Sequence, residues 1–405
     1  TVTDVRAVDV TDAGNPIALA VKLKDGNATV SAPDGQQRTI LIAGASRIAA
    51  PAQIVVNQPS TWNDNKQAAQ LVIITNRAFL DAASALKKAR EAEGISTAVI
   101  DVQNLYDEFT YGHHGPAAIR AFLQRSQSWK VAPKYAILLG DASFDPRNYY
   151  GMGAGLDYVP TKLVPTAYLK TASDDWFADF DDDGIPSIAI GRIPVRTAAE
   201  ANAAVAKLIR RGSAPVSADW ARNVDFVIDR PTGGIPFATG AAQLTQLVPS
   251  SYLVRNVNLA TDHPARITDA FTRGTLLMNY LGHGSVEVWS NAFNSWQAAN
   301  LRNGDKLPFV VAMNCLNGYF HDLFTDSLAE ALVRNGNGGA IAVWASSAMT
   351  APHEQTKMNL ALYDQLFGAT PTTIGEAVMK AKAATQDPDV RKSFVLFGDP
   401  TLRLR

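Results

Sequence analysis

The stretch Leu307–Gly318 reads LPFVVAMNCLNG, and it carries Cys315, the single cysteine of the chain. Phe309–Met313 is a continuous apolar run with no alternation. That is the pattern of a strand buried on both faces, as in a parallel sheet covered by helices. Working outward, the same kind of run recurs at Leu71–Thr75 (LVIIT), Tyr135–Leu139, Thr275–Tyr280 and Ala340–Trp344. Between the runs, apolar residues fall at helical spacing. Phe79, Ala83, Leu86 and Arg90 lie on one stripe that ends at Gly94. Thr197-x-x-Glu200 and Ser327-x-x-Glu330 are capping-box starts. Strand–helix alternation of this kind specifies an α/β fold with mostly parallel, helix-covered sheets.

Further strands are expected at Thr97–Val102, Ser187–Ile190, from Val224, at Tyr252–Val257 and at Phe394–Phe397. Further helices are expected at Pro116–Arg125, Phe237–Leu247, Pro264–Phe271, Gln355–Phe367 and Ile374–Thr385. AILLGDAS and LMNYLGHGS end strands in the two halves and echo each other, so the α/β part reads as two tandem units. Residues 1 to about 65 differ. They alternate weakly, carry Asp25-Gly26 and Asp34-Gly35 turn signals, and suggest short strands at Ala18–Leu23 and Thr39–Ala43. The expected organisation is therefore a β-rich segment over 1–65, a first α/β subdomain over 66–213 and a second over 214–405. A chain of 405 residues is also long enough for two or three cores.

Composition narrows the function classes. A formal net charge of −1, with no long basic run, argues against nucleic acid as the main partner. No apolar stretch of about 18 residues is present, so no membrane-spanning helix is expected. The chain begins at Thr1 inside an apparent strand and ends at Arg405 just past another. Both ends read as cuts through a longer precursor with flanking domains, and no signal peptide is visible in it.

In open α/β sheets chemistry collects at the carboxyl ends of strands. TLLMNYLGHGS (275–285) delivers His283 between two glycines, and LPFVVAMNCLNG delivers Cys315. If the two strands pair in parallel, imidazole and thiol share an edge. A thiol nucleophile, a base and backbone N–H groups are what acyl transfer requires. The N–H groups of Gly284 and Cys315 are the candidate oxyanion donors. The competing reading is that Cys315 is a small buried hydrophobe, the commoner fate of a lone cysteine. His283 would then be a turn residue.

The order GHGSVEVWSN (282–291), NCLNGYF (314–320), AEAL (329–332) and GGAIAVWASS (338–347) resembles the gingipain-type cysteine peptidases of family C25. LVIITN (71–76), LLGD (138–141) and IGR (190–192) extend the likeness over about 70–405. The resemblance implies a caspase-like fold in two tandem units, with Cys315 as nucleophile and His283 as its partner. It also implies protein or peptide substrates and an extracellular or cell-surface bacterial location. In the family an acid from the first unit supports the histidine and another sits in the substrate pocket. Asp174 in SDDWF is thus a candidate for substrate binding, with Asp175 and Asp141 as candidates for orienting His283. The loop after Ala345–Ser347 is shorter than in the arginine-directed members, so trypsin-like specificity is not implied. A sortase-like transpeptidase using the same acyl-enzyme is one alternative, and a catalytically silent binding or scaffold module is another.

Asp179, Asp181 and Asp183 open a D-x-D-x-D-G run. Position twelve of an EF-hand loop would be Ile190, which excludes an EF-hand, but a structural calcium loop of another type is a candidate. Family members bind structural calcium, which agrees. The competing reading is an acidic turn. No phosphate loop or other organic-cofactor motif is present.

Overall fold

In the computed structural model, residues 4–33, 35–50, 57, 59–152, 156–212, 217–370 and 372–404 are described. The chain divides into two compact units, Thr1–Gln58 and Pro59–Arg405. The first holds a four-stranded antiparallel sheet, in the order Asn27–Ser31, Ile17–Lys24, Val5–Asp9, Ile40–Gly44. Asp25 and Gly26 both have positive φ, 49° and 79°, as a two-residue hairpin turn requires.

Ten strands of the second unit form one sheet. In chain order they are β1 (Leu71–Thr75), β2 (Thr97–Asp101), β3 (Tyr135–Leu139), β4 (Ala189–Ile193), β5 (Asn223–Ile228), β6 (Leu253–Asn258), β7 (Leu277–Leu281), β8 (Phe309–Met313), β9 (Ala342–Ser346) and β10 (Phe394–Phe397). Across the sheet the order is β6–β5–β7–β8–β9–β10–β4–β3–β1–β2. The expected two tandem α/β sets are present, and their strands join into a single sheet at β10. The stretch expected to separate them, at 213/214, falls outside the described residues. Every residue of β1, β7, β8 and β9 is buried, which explains why these strands read as largely apolar runs without alternation. Helices cover both faces over large apolar clusters.

The direction of β10 has consequences for the site. It runs antiparallel to β9 and parallel to β4, so the two halves of the sheet point in opposite directions. Carboxyl ends of β7 and β8 emerge at one edge. Those of β3 and β4 emerge at the other.

Candidate active site

β7 and β8 pair in parallel, with Leu281 opposite Met313. The Gly282 N–H extends the ladder by one bond to the Met313 carbonyl, at 3.3 Å. His283 and Cys315 therefore leave adjacent strands two residues past the same rung, on the same edge. Neighbouring strands lie about 4.8 Å apart, so the two residue types are brought together by register alone. His283 is exposed and Cys315 is half-buried.

The backbone around the thiol is unusual. Leu316 has φ +65°, a left-handed conformation that costs a non-glycine residue of the order of 1–3 kcal/mol. It is held there by its N–H to the Ala348 carbonyl and by the Gly318 N–H to the Ser346 carbonyl, at 3.1 and 2.8 Å. The result turns the chain sharply just after Cys315. The Thr350 N–H points at the sulfur at 3.5 Å. Among the described residues the Cys315 N–H donates to no carbonyl or side chain, which leaves it available to a developing oxyanion.

Asn317 ties the His283 and Cys315 segments together. Its amide donates to the Ser285 carbonyl at 2.5 Å and to that of Val288 at 3.3 Å, and its oxygen accepts from Asn314. The glycines beside His283 are required sterically. A Cβ at Gly284 would lie 1.8 Å from Asn314 Nδ2, and one at Gly282 would lie 2.4 Å from both Asp229 Cβ and Tyr280 Oη.

His283 is positioned through its main chain. Its N–H donates to Asp229 Oδ2 at 3.0 Å, and its carbonyl accepts from the Tyr280 hydroxyl at 2.6 Å. Tyr280 is itself stacked on Trp289, with centroids 4.6 Å apart, and burial pushes its hydroxyl well above the ordinary range. The Phe237 ring stands edge-on to the imidazole at 5.3 Å. Asp229, Tyr280 and Phe237 were not singled out from sequence. Asp229 ends the run VDFVID, so the carboxyl-end rule applied to β5 would have found it. Nothing in the sequence told that β5 is the neighbour of β7.

The three candidate acids lie elsewhere, and none forms a hydrogen bond or ion pair with the His283 ring. Asp141 follows β3 and so emerges at the edge opposite Cys315, where it pairs with Arg196 at 2.5 Å and Arg334 at 3.0 Å. Asp174 is 2 % exposed, and both its oxygens are taken, by Arg192 at 2.6 and 2.8 Å and by Thr161 at 2.8 Å. Asp175 pairs with Lys382, which also donates to the Arg391 and Phe394 carbonyls. Burial pushes the Asp175 carboxyl up, with the ammonium opposing.

The D-x-D-x-D-G run forms a tight turn stitched by its own carboxylates. Asp179 is buried and accepts the Asp183 and Gly184 N–H groups at 3.0 and 2.9 Å, while Asp183 accepts that of Ile185. Asp181 is exposed, and Asp182 pairs with Arg120. Among the described residues no three carboxylate, imidazole or thiol groups converge on a metal-sized site.

Comparison with known proteins adds to this geometry. Gingipain R2 and gingipain R1 of Porphyromonas gingivalis are each 33% identical over 159 residues, which is 35% of this chain. The match spans only 21% and 16% of those proteins' lengths. The crystal structure of the Arg-specific cysteine proteinase gingipain R superposes with a TM-score of 0.70 at 21% identity. It covers 86% of this chain and 80% of that one, and it shares the fold. The profile of peptidase family C25 matches residues 64–405, the whole α/β unit with both strand-end motifs, and the chain belongs to that family.

Proposed function

We propose that the protein is a cysteine peptidase that cleaves peptide bonds through a thioester at Cys315, with His283 as general acid and base. The observation that carries this reading is the β7–β8 register, which delivers imidazole and thiol to one edge beside an unengaged amide. In the proposed cycle the Cys315 thiolate attacks the scissile carbonyl. The Cys315 and Gly284 N–H groups receive the oxyanion, and His283 gives its proton to the departing amine. Water, deprotonated by His283, then hydrolyses the thioester. Protein or peptide substrates, flanking domains in a longer chain and an extracytoplasmic location belong to the same proposal and follow from the family. No helix among the described residues is long and apolar enough to cross a membrane.

Digestion of a peptide library by the wild type and by Cys315→Ala tests the reading. Loss of all cleavage in the variant, with rapid iodoacetamide labelling of Cys315 in the wild type, is the expected outcome. Labelling as slow as that of a protected core thiol would sink it. Product analysis with an added amine acceptor separates hydrolysis from transpeptidation.

A further inference from the structure

A groove of 410 Å³ opens beside the candidate dyad, between the helices Phe237–Leu247 and Pro352–Phe367. Leu281 and Met313, the last residues of β7 and β8, form part of its lining, so it begins two residues before His283 and Cys315. Ile235, Pro236, Phe237 and Pro352 contribute further apolar surface. The remaining side chains are neutral amides and hydroxyls, such as Gln243 and Thr356, together with His353, which is exposed and lies 3.3 Å from Glu354. Among the described residues, no aspartate, glutamate, lysine or arginine lines the groove.

We infer that this groove receives the side chain of the residue that follows the scissile bond, and selects uncharged apolar side chains there. The inference rests on the peptidase reading above. When the sulfur–carbon bond forms and the carbon–nitrogen bond breaks, the imidazolium proton goes to the departing amine nitrogen. The imidazole therefore stands on the amine side of the bond, and the next side chain projects from that side. Phe237 links the two places, since its ring packs edge-on to the His283 imidazole and also lines the groove. Leucine, methionine or phenylalanine exchanges water for apolar contact in such a pocket. A lysine, arginine or carboxylate loses its hydration and finds no partner.

The test reads cleavage sites in a peptide library by mass spectrometry. Wild-type protein is expected to favour leucine, methionine and phenylalanine after the cut by about tenfold over charged residues, the scale on which apolar pockets discriminate. Thr356 lies on the helix Pro352–Phe367, half-buried, and lines the groove. Thr356→Trp fills the groove and is expected to abolish that preference while cleavage before glycine or alanine continues. Thr356→Asp is expected to admit lysine and arginine.

Cleavage without a preference at this position, or with a preference that Thr356→Trp leaves intact, overturns the groove assignment and leaves the peptidase standing. If wild type cleaves nothing, the amides Leu-Gly-NH2 and Lys-Gly-NH2 are titrated into the Cys315→Ala protein by NMR. Binding of the leucine amide alone, lost in Thr356→Trp, supports the groove and removes only the peptidase. Equal binding, or none, overturns both. Dimerisation that Thr356→Trp abolishes would assign the groove to a second copy and overturn the proposal.

Discussion

Asp229 shows how a carboxylate can matter to a histidine without touching its ring. Its Oδ2 accepts the His283 N–H and its Oδ1 accepts that of Arg230, so it fixes the turn from which the imidazole projects. Asp229→Ala removes both acceptors. A histidine misplaced by about 1 Å costs of the order of 10²-fold in rate, so kcat is expected to fall 10- to 100-fold with KM nearly unchanged. Steady-state kinetics on one peptide checks this, and a fall in affinity alone would contradict a positioning role. His321, six residues past the thiol, behaves oppositely. It is fully buried with both ring nitrogens lacking a partner, and burial pushes its imidazole down to about 3. Below the ordinary 6.5 the unfolded chain takes up a proton that the folded chain refuses, so stability falls as pH drops from 6.5 toward 3. His321→Phe removes that slope. Between pH 7 and 4.5 it is expected to spare up to about 2–3 kcal/mol of the wild type's acid loss in urea unfolding. Its place just after the nucleophile motif would suit a cleft-lining or a surface residue equally. An aromatic setting, with Tyr319 at 4.1 Å, puts it in the core instead.

At the scale of the element, legibility followed burial. β1, β3 and β8 lie where the apolar runs placed them, residue for residue, because a strand enclosed on both faces favours apolar side chains throughout. Both expected capping boxes formed, at Thr197/Glu200 and Ser327/Glu330. The two-residue strands Gly284–Ser285, Val288–Trp289 and Phe293–Asn294 left no pattern, being too short for a period to appear. The end of the helix Leu328–Arg334 was equally opaque, since its cap comes from a residue more than a hundred positions away. Lys207, 1 % exposed, donates to the carbonyls of Val333, Asn335 and Gly338 at 2.7, 2.9 and 3.2 Å. This ammonium supplies donors that the last turn of a helix lacks internally. Lys207→Met keeps the volume and strands the carbonyls, so a loss of about 2–4 kcal/mol is expected. Chemical denaturation measures it, and a change below about 0.5 kcal/mol would show that water serves as well.

Across the whole α/β unit, ion pairs cross the seam where the half-sheets meet. Arg90, on a first-half helix, bonds Asp399 just past β10 at 2.8 Å, and both are fully buried. Asp175 bonds Lys382 in the same sense. Sequence proximity gave no hint of these pairs, because the direction of β10 cannot be read from FVLF. With β10 reversed, the acids that the family resemblance offered to His283 or to the substrate pocket become bolts of the scaffold. Asp174 is the sharpest case. Its partner Arg192 sits in β4 with its guanidinium 4.8 Å from the ring of Phe320, in the segment that carries Cys315. The same guanidinium donates to the Gly140 and Val159 carbonyls at 2.8 Å. Asp174→Asn keeps the shape and removes the charge, leaving Arg192 buried and unpaired, which costs about 3–5 kcal/mol. The melting temperature is therefore expected to fall, with activity declining equally on basic and apolar substrates. A carboxylate that bound a basic substrate side chain would give the reverse, an unchanged melting temperature and a raised KM for lysine or arginine peptides alone. Measuring both quantities on the one variant decides between scaffold and pocket, because the buried pair links the carboxylate to folding whereas an open pocket would not.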